Sequence, residues 1–122
     1  MPCQTYGRNV WFFPDGDLPQ PGNGPLKGHE SLVILNPNDK DAQVTVTVYY
    51  SDHEPEQAPA QSVGARRVRC FRIDEGIGGH AIPFGQYALK VESTVPLVCQ
   101  IGRMDVSQPN LAYYTVMGYA GS

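Results

Sequence analysis

Residues 42–50 alternate between apolar and polar side chains, and this period of two residues limits the folds open to the chain. Val44, Val46 and Val48 share one face, and glutamine and threonine side chains take the other. Successive side chains of an extended strand point to opposite faces, so the pattern is typical of a half-buried β-strand. No window of ten or more residues has the 3.6-residue period of an amphipathic helix. The sequence therefore predicts an all-β fold.

Similar strand patterns recur along the chain and are separated by turn-forming residues. Glycine and proline, with 13 and 11 copies among 122 residues, favour strands joined by turns. Many short strands with such turns indicate a single-domain antiparallel β-sandwich of about eight strands over residues 1–122. The predicted strands are residues 9–13, 30–36, 42–50, 60–63, 66–73, 86–92, 95–103 and 111–119.

Two segments depart from the simple strand pattern. Residues 14–28 carry four prolines and four glycines, which predicts a long loop, either a wall of a binding site or a surface wrap. The last strand is apolar on both faces, with Tyr113 and Met117 on one and Tyr114 and Val116 on the other. A strand of this kind is central or covered by another subunit, so a homo-oligomer is expected.

Charge and motif content exclude several classes of function. Nine basic against twelve acidic residues leave a net charge of −3, without general attraction for nucleic acid or anionic membranes. The three cysteines lack disulfide-framework or zinc-finger spacing, and the histidines are scattered. No G-x-S-x-G elbow or P-loop is present. We therefore expect no enzyme activity, no metal and no cofactor. Without an apolar span or signal peptide, the cytoplasm is the expected compartment.

The densest positive charge lies in residues 66–72, which hold four of the nine basic residues. In an extended strand Arg66 and Arg72 point one way, whereas Arg67 and Arg69 point the other, so they form no single stripe. The alternation favours salt-bridged or interface arginines. A DNA-binding regulator that uses Arg66 to Arg72 remains an alternative.

One strand ends in a change from apolar to charged side chains. The row Val95, Leu97, Cys99 and Ile101 continues on the same face into Arg103 and Asp105. A guanidinium is a planar fork suited to paired oxygens, so these two residues predict a small concave site at the end of the fold. The alternative is an intramolecular ion pair that closes that end.

Polar and aromatic residues elsewhere supply further candidates. Glu30 and Asn36 flank the apolar pair Leu32 and Ile34 on one face, and buried polar groups of this kind need partners. Asn36 precedes a proline, so it could instead cap a turn. Trp11 lies just before the proline-rich segment, where its ring could either join the core or stack on a sugar.

A set of residues spread along the chain occurs in a recognisable order and spacing: Trp11 with Pro14 and Gly16, His29-Glu30, Leu35-Asn36, Tyr49-Tyr50-Ser51-Asp52, Glu54-Pro55, Arg66-Arg67, Val95-Pro96, Gln100, Arg103 and Asp105. Together these residues resemble the sensory rhodopsin transducer family across almost the whole chain. The resemblance implies a cytoplasmic, non-catalytic β-sandwich, assembled as a homotetramer, that binds a small polar molecule such as a sugar or related metabolite. It raises Trp11, Glu30, Asn36, Tyr50, Arg103 and Asp105 as ligand-binding candidates. The alternative role is a protein-interaction transducer of a sensory rhodopsin or other membrane receptor.

Overall fold

The structure is a computed structural model that describes residues 5–107 and 112–121. Within those ranges the regular elements are nine β-strands and one turn of 3₁₀ helix, Ile73–Glu75, without an α-helix. The all-β prediction is confirmed. No helix of the described residues is long and apolar enough to cross a membrane. The strands are β1 (Arg8–Leu18), β2 (His29–Asn36), β3 (Ala42–Tyr49), β4 (Glu56–Gln57), β5 (Gln61–Val63), β6 (Arg67–Arg72), β7 (Gly85–Asp105), β8 (Ala112–Met117) and β9 (Tyr119–Ala120).

The long strand β7 organises the sheet. Its first part pairs with β1 and β3, and its second part pairs with β2 and β8. β4 and β5 add to β3, β6 adds to β2, and β9 adds to β1. Every pairing is antiparallel, and the result is an open sheet in which β7 belongs to both groups of strands. The antiparallel prediction is confirmed, whereas two stacked layers and a homo-oligomer stay predictions.

The core consists of the alternating rows that the sequence pattern marked as apolar. Val44, Val46 and Val48 of β3 are buried, as are Leu97 and Cys99 of β7. These side chains and those of β1 and β2 form one hydrophobic cluster. Each fully buried aliphatic side chain contributes about 1.5–3 kcal/mol. One core therefore joins both groups of strands.

The structure corrects several predicted boundaries. Residues 86–92 and 95–103 belong to one strand, because the junction around Ser93 stays extended and pairs with Val44. β1 continues to Leu18, so residues 14–18 of the predicted loop are strand. Pro14 is tolerated there because the register with β7 shifts between Phe13 and Gly16, which removes the need for its N–H.

The end of the chain also differs from the prediction. The segment expected as one strand contains two, β8 and β9, separated by Gly118, and its first predicted residue, Leu111, lies outside the described residues. At Gly118 any Cβ would lie 2.8 Å from the carbonyl oxygen of Phe12, so the close approach to β1 requires glycine. All six residues of β8 are exposed.

Candidate functional site

A buried carboxylate lies at the start of β2. The side chain of Glu30 is 0% exposed and accepts three hydrogen bonds. Its Oε1 accepts from the Tyr87 hydroxyl at 2.6 Å and from the Asp17 backbone N–H at 3.0 Å. Its Oε2 accepts from Nε of Arg103 at 2.7 Å. Burial of a charge is unfavourable unless it is paired and hydrogen-bonded, and both conditions are met here.

Strand register brings these groups together. Glu30 lies opposite Arg103 in the pairing of β2 with β7. Tyr87, at the other end of β7, lies opposite Gly16 of β1. A Cβ at Gly16 would overlap the Tyr87 ring, so the missing side chain makes room for that ring. The tyrosine hydroxyl can then reach Glu30.

The guanidinium of Arg103 connects three strands. Besides its bond to Glu30 on β2, its Nη1 donates to the Tyr114 hydroxyl on β8 at 2.6 Å. Its Nη2 donates to the backbone carbonyl of Asp15 on β1 at 3.1 Å. An arginine side chain has five N–H donors. Two of them have no acceptor among residues 5–107 and 112–121.

Electrostatics fix the protonation of this group. Burial by itself would lower the pKa of Arg103, but hydrogen bonds to Glu30 and Tyr114 and their charges raise it above its ordinary value. Burial and the neighbouring Glu30 carboxylate raise the pKa of Tyr87 above its usual 10.0. Arg103 therefore stays charged, and Tyr87 keeps the proton that it donates to Glu30.

Beside the ion pair lies a cleft of about 90 Å³. Its charged lining comprises two carboxylates and one guanidinium, so it offers both donors and acceptors with a net charge of −1. Within residues 5–107 and 112–121, no cluster of three or more His, Cys, Asp or Glu side chains could hold a metal. The arrangement suits the binding of a polar group. The lining residues are Asp15, Glu30, Ile101, Arg103, Tyr114 and Val116.

Of the six residues singled out in the sequence, the structure brings together only Glu30 and Arg103. Asp105 does not bond to the guanidinium; its Oδ1 accepts from the Ser107 backbone N–H at 2.9 Å. Hydrogen bonds from the Ser107 side chain and backbone hold the pKa of Asp105 below its usual range, and the charge of Arg103 adds to this effect. The carboxylate partner expected two residues from Arg103 is instead Glu30.

Asn36 lies at the opposite end of β2 from Glu30 and is also fully buried. Its amide donates to the carbonyl oxygens of Lys40 at 2.7 Å and Val63 at 3.2 Å. Its Oδ1 accepts from the backbone N–H of Asn38 at 3.1 Å. These contacts match the turn-capping alternative, and they place Asn36 away from the cleft.

Trp11 is a core residue in this structure, only 7% exposed. Its indole N–H lies 2.9 Å from the carbonyl oxygen of Leu97 and 3.2 Å from that of Arg8. The ring therefore presents no open face on which a sugar could stack. This geometry corrects the stacking interpretation of Trp11.

Tyr50 belongs to a different cluster. Its hydroxyl donates to Oε1 of Glu56 at 2.8 Å and lies 3.3 Å from Nε2 of His80. Its ring stacks on His53, with centroids 3.9 Å apart. Burial, with the hydrogen bond and charge of Glu56, raises the pKa of Tyr50 to about 12. Tyr50 is thus held by its own neighbours and takes no part in the Arg103 cleft.

The arginines of residues 66–72 make local contacts. Arg72 forms two hydrogen bonds of 2.9 Å with Asp74. Arg69 donates to the Ser62 carbonyl at 2.7 Å, and its guanidinium lies 4.4 Å from the centroid of the Phe71 ring. These contacts agree with the salt-bridged interpretation, and they add nothing in favour of DNA binding.

Sequence reasoning missed Tyr87, Tyr114, Asp15 and Asp17. Tyr87 continues the inward row of Leu89 and Val91, so a hydroxyl at the end of an apolar row was the available signal. Asp15 and Asp17 act through a carbonyl and an N–H, which no side-chain pattern reveals.

Comparison with known proteins places this chain in a family. The family model described as Anabaena sensory rhodopsin transducer matches residues 6–120. The chain belongs to this family. Among solved structures, it is similar to the Anabaena sensory rhodopsin transducer, with 37% identity, a TM-score of 0.72, and coverage of 81% of this chain and 99% of that one.

A second structural match extends over more of the chain. The crystal structure of Thermotoga maritima 1070 is 33% identical, with a TM-score of 0.82 and coverage of 93% of this chain and 95% of that one. No match was found among curated protein sequences. Family and structure thus agree that the chain is a sensory rhodopsin transducer-like module.

Proposed function

We propose that this transducer-like module is non-enzymatic, binds a small polar molecule at the Arg103 cleft and conveys its occupancy to a protein partner. The observation that carries the proposal is the ion pair itself. Its carboxylate is fully buried, whereas the arginine side chain is 19% exposed and reaches the cleft. A charge fixed in place by three strands is preorganised to receive hydrogen bonds from a ligand.

The charges of the cleft favour a neutral polyhydroxylated ligand over an anion. Asp15 and Glu30 outweigh Arg103, so a carboxylate or phosphate would meet net repulsion. A hydroxyl group can accept from the guanidinium and donate to an oxygen of Asp15 at the same time. A sugar or related metabolite carries several hydroxyls that can make such contacts.

The proposed assembly is a homotetramer. The side of β6, β2, β7 and β8 that faces away from Ile34 exposes apolar side chains in register, and Leu35 lies opposite Val68. Met117 and Tyr113 extend the same side on β8. Exposed apolar patches often mark protein interfaces. Leu35→Glu should lower the mass measured by light scattering, whereas an unchanged mass would place the interface elsewhere.

The proposed partner is the cytoplasmic face of a membrane receptor. The solved relative from Anabaena is named as a transducer of a sensory rhodopsin, which supports a receptor partner for this chain. A protein that acted only through such contacts, without a ligand, is the second candidate. The exposed apolar strand β8 favours it.

Thermal-shift measurements with a panel of neutral hexoses, including D-glucose, separate the two candidates. A ligand at 100 times its dissociation constant adds about 2.7 kcal/mol to the free energy of unfolding. Arg103→Lys keeps a charge beside Glu30 but loses the fork, so it should abolish the shift. Asp105→Asn is the matched control and should keep it. If neither hexoses nor related polyols shift the wild-type protein, the ligand-binding function is wrong.

A further inference from the structure

The cleft beside Arg103 has a smaller volume than the usual binding sites for molecules the size of a sugar. It encloses about 90 Å³, whereas sites for small organic molecules enclose about 300 Å³ or more. A sugar-sized molecule therefore requires one wall to move.

Among the described residues, the wall formed by β8 is the one most free to do so, because Asp15 lies on β1, which pairs with both β7 and β9. Glu30 and Ile101 belong to the packed interior, with exposures of 0% and 4%. Tyr114 and Val116 lie on β8, whose six residues are all exposed. Among the described residues β8 pairs with β7 alone, so it is held along one edge. Strands with few buried contacts open at the lowest free-energy cost.

A single side-chain contact ties β8 to the ion pair. The Tyr114 hydroxyl accepts from Nη1 of Arg103 at 2.6 Å, and the guanidinium carbon lies 5.4 Å from the centroid of the Tyr114 ring. Within the described part of the chain, this is the only side-chain hydrogen bond that β8 makes. A ligand oxygen that accepts from Nη1 would compete with Tyr114 for the same donor.

We propose that β8 is a movable wall held closed by Tyr114, and that a ligand at Arg103 displaces the Tyr114 hydroxyl and releases the strand. This inference rests on the proposed ligand site and adds the structural change through which its occupancy is conveyed. The ligand binds the released arrangement better than the closed one, which shifts the population toward release. The strand that moves also carries Tyr113 and Met117 on its opposite side, so occupancy of the cleft alters the apolar surface.

The first test needs no ligand and uses amide hydrogen exchange of the full chain. Tyr114→Phe removes the hydroxyl but keeps the ring, so the β8 amides paired with β7 should exchange about fivefold faster, as loss of one charged but partly exposed hydrogen bond predicts. Amides of β3 should be unchanged. Tyr119→Phe, which removes the hydroxyl of an exposed tyrosine on β9, is the matched control and should match the wild type. Equal β8 rates in Tyr114→Phe and wild type would overturn the inference.

The second test adds D-glucose as the probe, with calorimetric titration of wild type, Tyr114→Phe and Arg103→Lys. If the strand must be released for binding, Tyr114→Phe should bind glucose more tightly than the wild type, because less of it is in the closed state. The ratio of the two dissociation constants should be about the ratio of their β8 exchange rates. Weaker binding to Tyr114→Phe than to wild type would contradict a closing role for that hydroxyl. If neither the wild type nor a variant binds glucose or the other hexoses, the ligand proposal fails. Faster β8 exchange in Tyr114→Phe would then still support the role of Tyr114 in holding β8 closed.

Discussion

The two ends of β2 carry the same sequence pattern but hold their polar residues in different ways. Glu30 and Asn36 flank Leu32 and Ile34 on one face, and both are fully buried. Asn36 is satisfied entirely by backbone groups, two in the turn that follows β2 and one at the end of β5. Glu30 is satisfied mainly by side chains from distant parts of the chain, Tyr87 and Arg103.

This difference separates a structural polar residue from a candidate site. Backbone partners move only if the fold moves, so Asn36 fixes a turn. Side-chain partners can be exchanged for groups of a ligand, and the arginine that holds Glu30 reaches a cleft. Burial is equal at the two ends, so the charge of each residue and the nature of its partners are what distinguish them.

The largest effect is expected when the charged end loses its cation. Arg103→Ala leaves the Glu30 carboxylate buried without its counter-charge, and the free energy of unfolding should fall by about 3–5 kcal/mol. The double variant Glu30→Leu with Arg103→Met removes both charges and should recover most of that loss. Urea titration of the three proteins measures both effects. A double variant as unstable as Arg103→Ala would contradict this account.

The neutral end should be less sensitive, because no charge is left behind. Asn36→Ala removes three hydrogen bonds to backbone groups, and we expect a loss of about 2 kcal/mol. Asn23→Ala in the exposed segment between β1 and β2 serves as control and should be neutral. The same urea titration measures the free energy of unfolding. A larger decrease for Asn36→Ala than for Arg103→Ala would contradict the expectation that the charged end of β2 is the more sensitive one.

Removal of one hydroxyl tests the side-chain partners of Glu30. Tyr87→Phe should lower the free energy of unfolding by about 1–2 kcal/mol at neutral pH. Because the pKa of Tyr87 is raised in the fold, its contribution is full below pH 10.0 and is lost as the pH rises further. Each such tyrosine adds a slope of at most about 1.4 kcal/mol per pH unit.

The variant should therefore lose stability less steeply than the wild type between about pH 10 and 12. The Tyr87→Phe variant should keep some loss of stability in this pH range, because the pKa of Tyr50 is also raised, to about 12. Tyr119→Phe, at an exposed position, is the control. Identical alkaline slopes in Tyr87→Phe and wild type, followed by circular dichroism, would disprove the assignment.

The smallest effect is expected at Asp105. Its pKa is lowered by Ser107, so its contribution is present above the unfolded pKa and is lost as the pH falls through the folded one. Asp105 is half-buried, but among the described residues its carboxylate bonds only to the neighbouring Ser107, so Asp105→Asn should leave the stability at neutral pH unchanged. The variant should only slightly weaken the dependence of stability on pH in the acid range. A clear loss at pH 7 in thermal melts would mean that Asp105, rather than Glu30, balances Arg103.

Much of the fold follows from local patterns, whereas the site depends on register. Alternation identified the buried rows of β3 and β7 and marked Glu30 and Arg103 as polar ends of apolar rows. It could not show that β2 and β7 pair with Glu30 opposite Arg103, because that register is set by contacts 73 residues apart. The space for Tyr87 is created by a missing side chain at Gly16, which no pattern of hydrophobicity reveals.

A cut within β7 would divide the strand that both groups of strands share. Its 21 residues supply partners to β1 and β3 in one half and to β2 and β8 in the other. A proteolytic nick near Ser93 would leave each fragment with half of the shared strand and part of the common core. Neither fragment is expected to fold alone, but the pair should reassemble when mixed, since each supplies the edge that the other lacks.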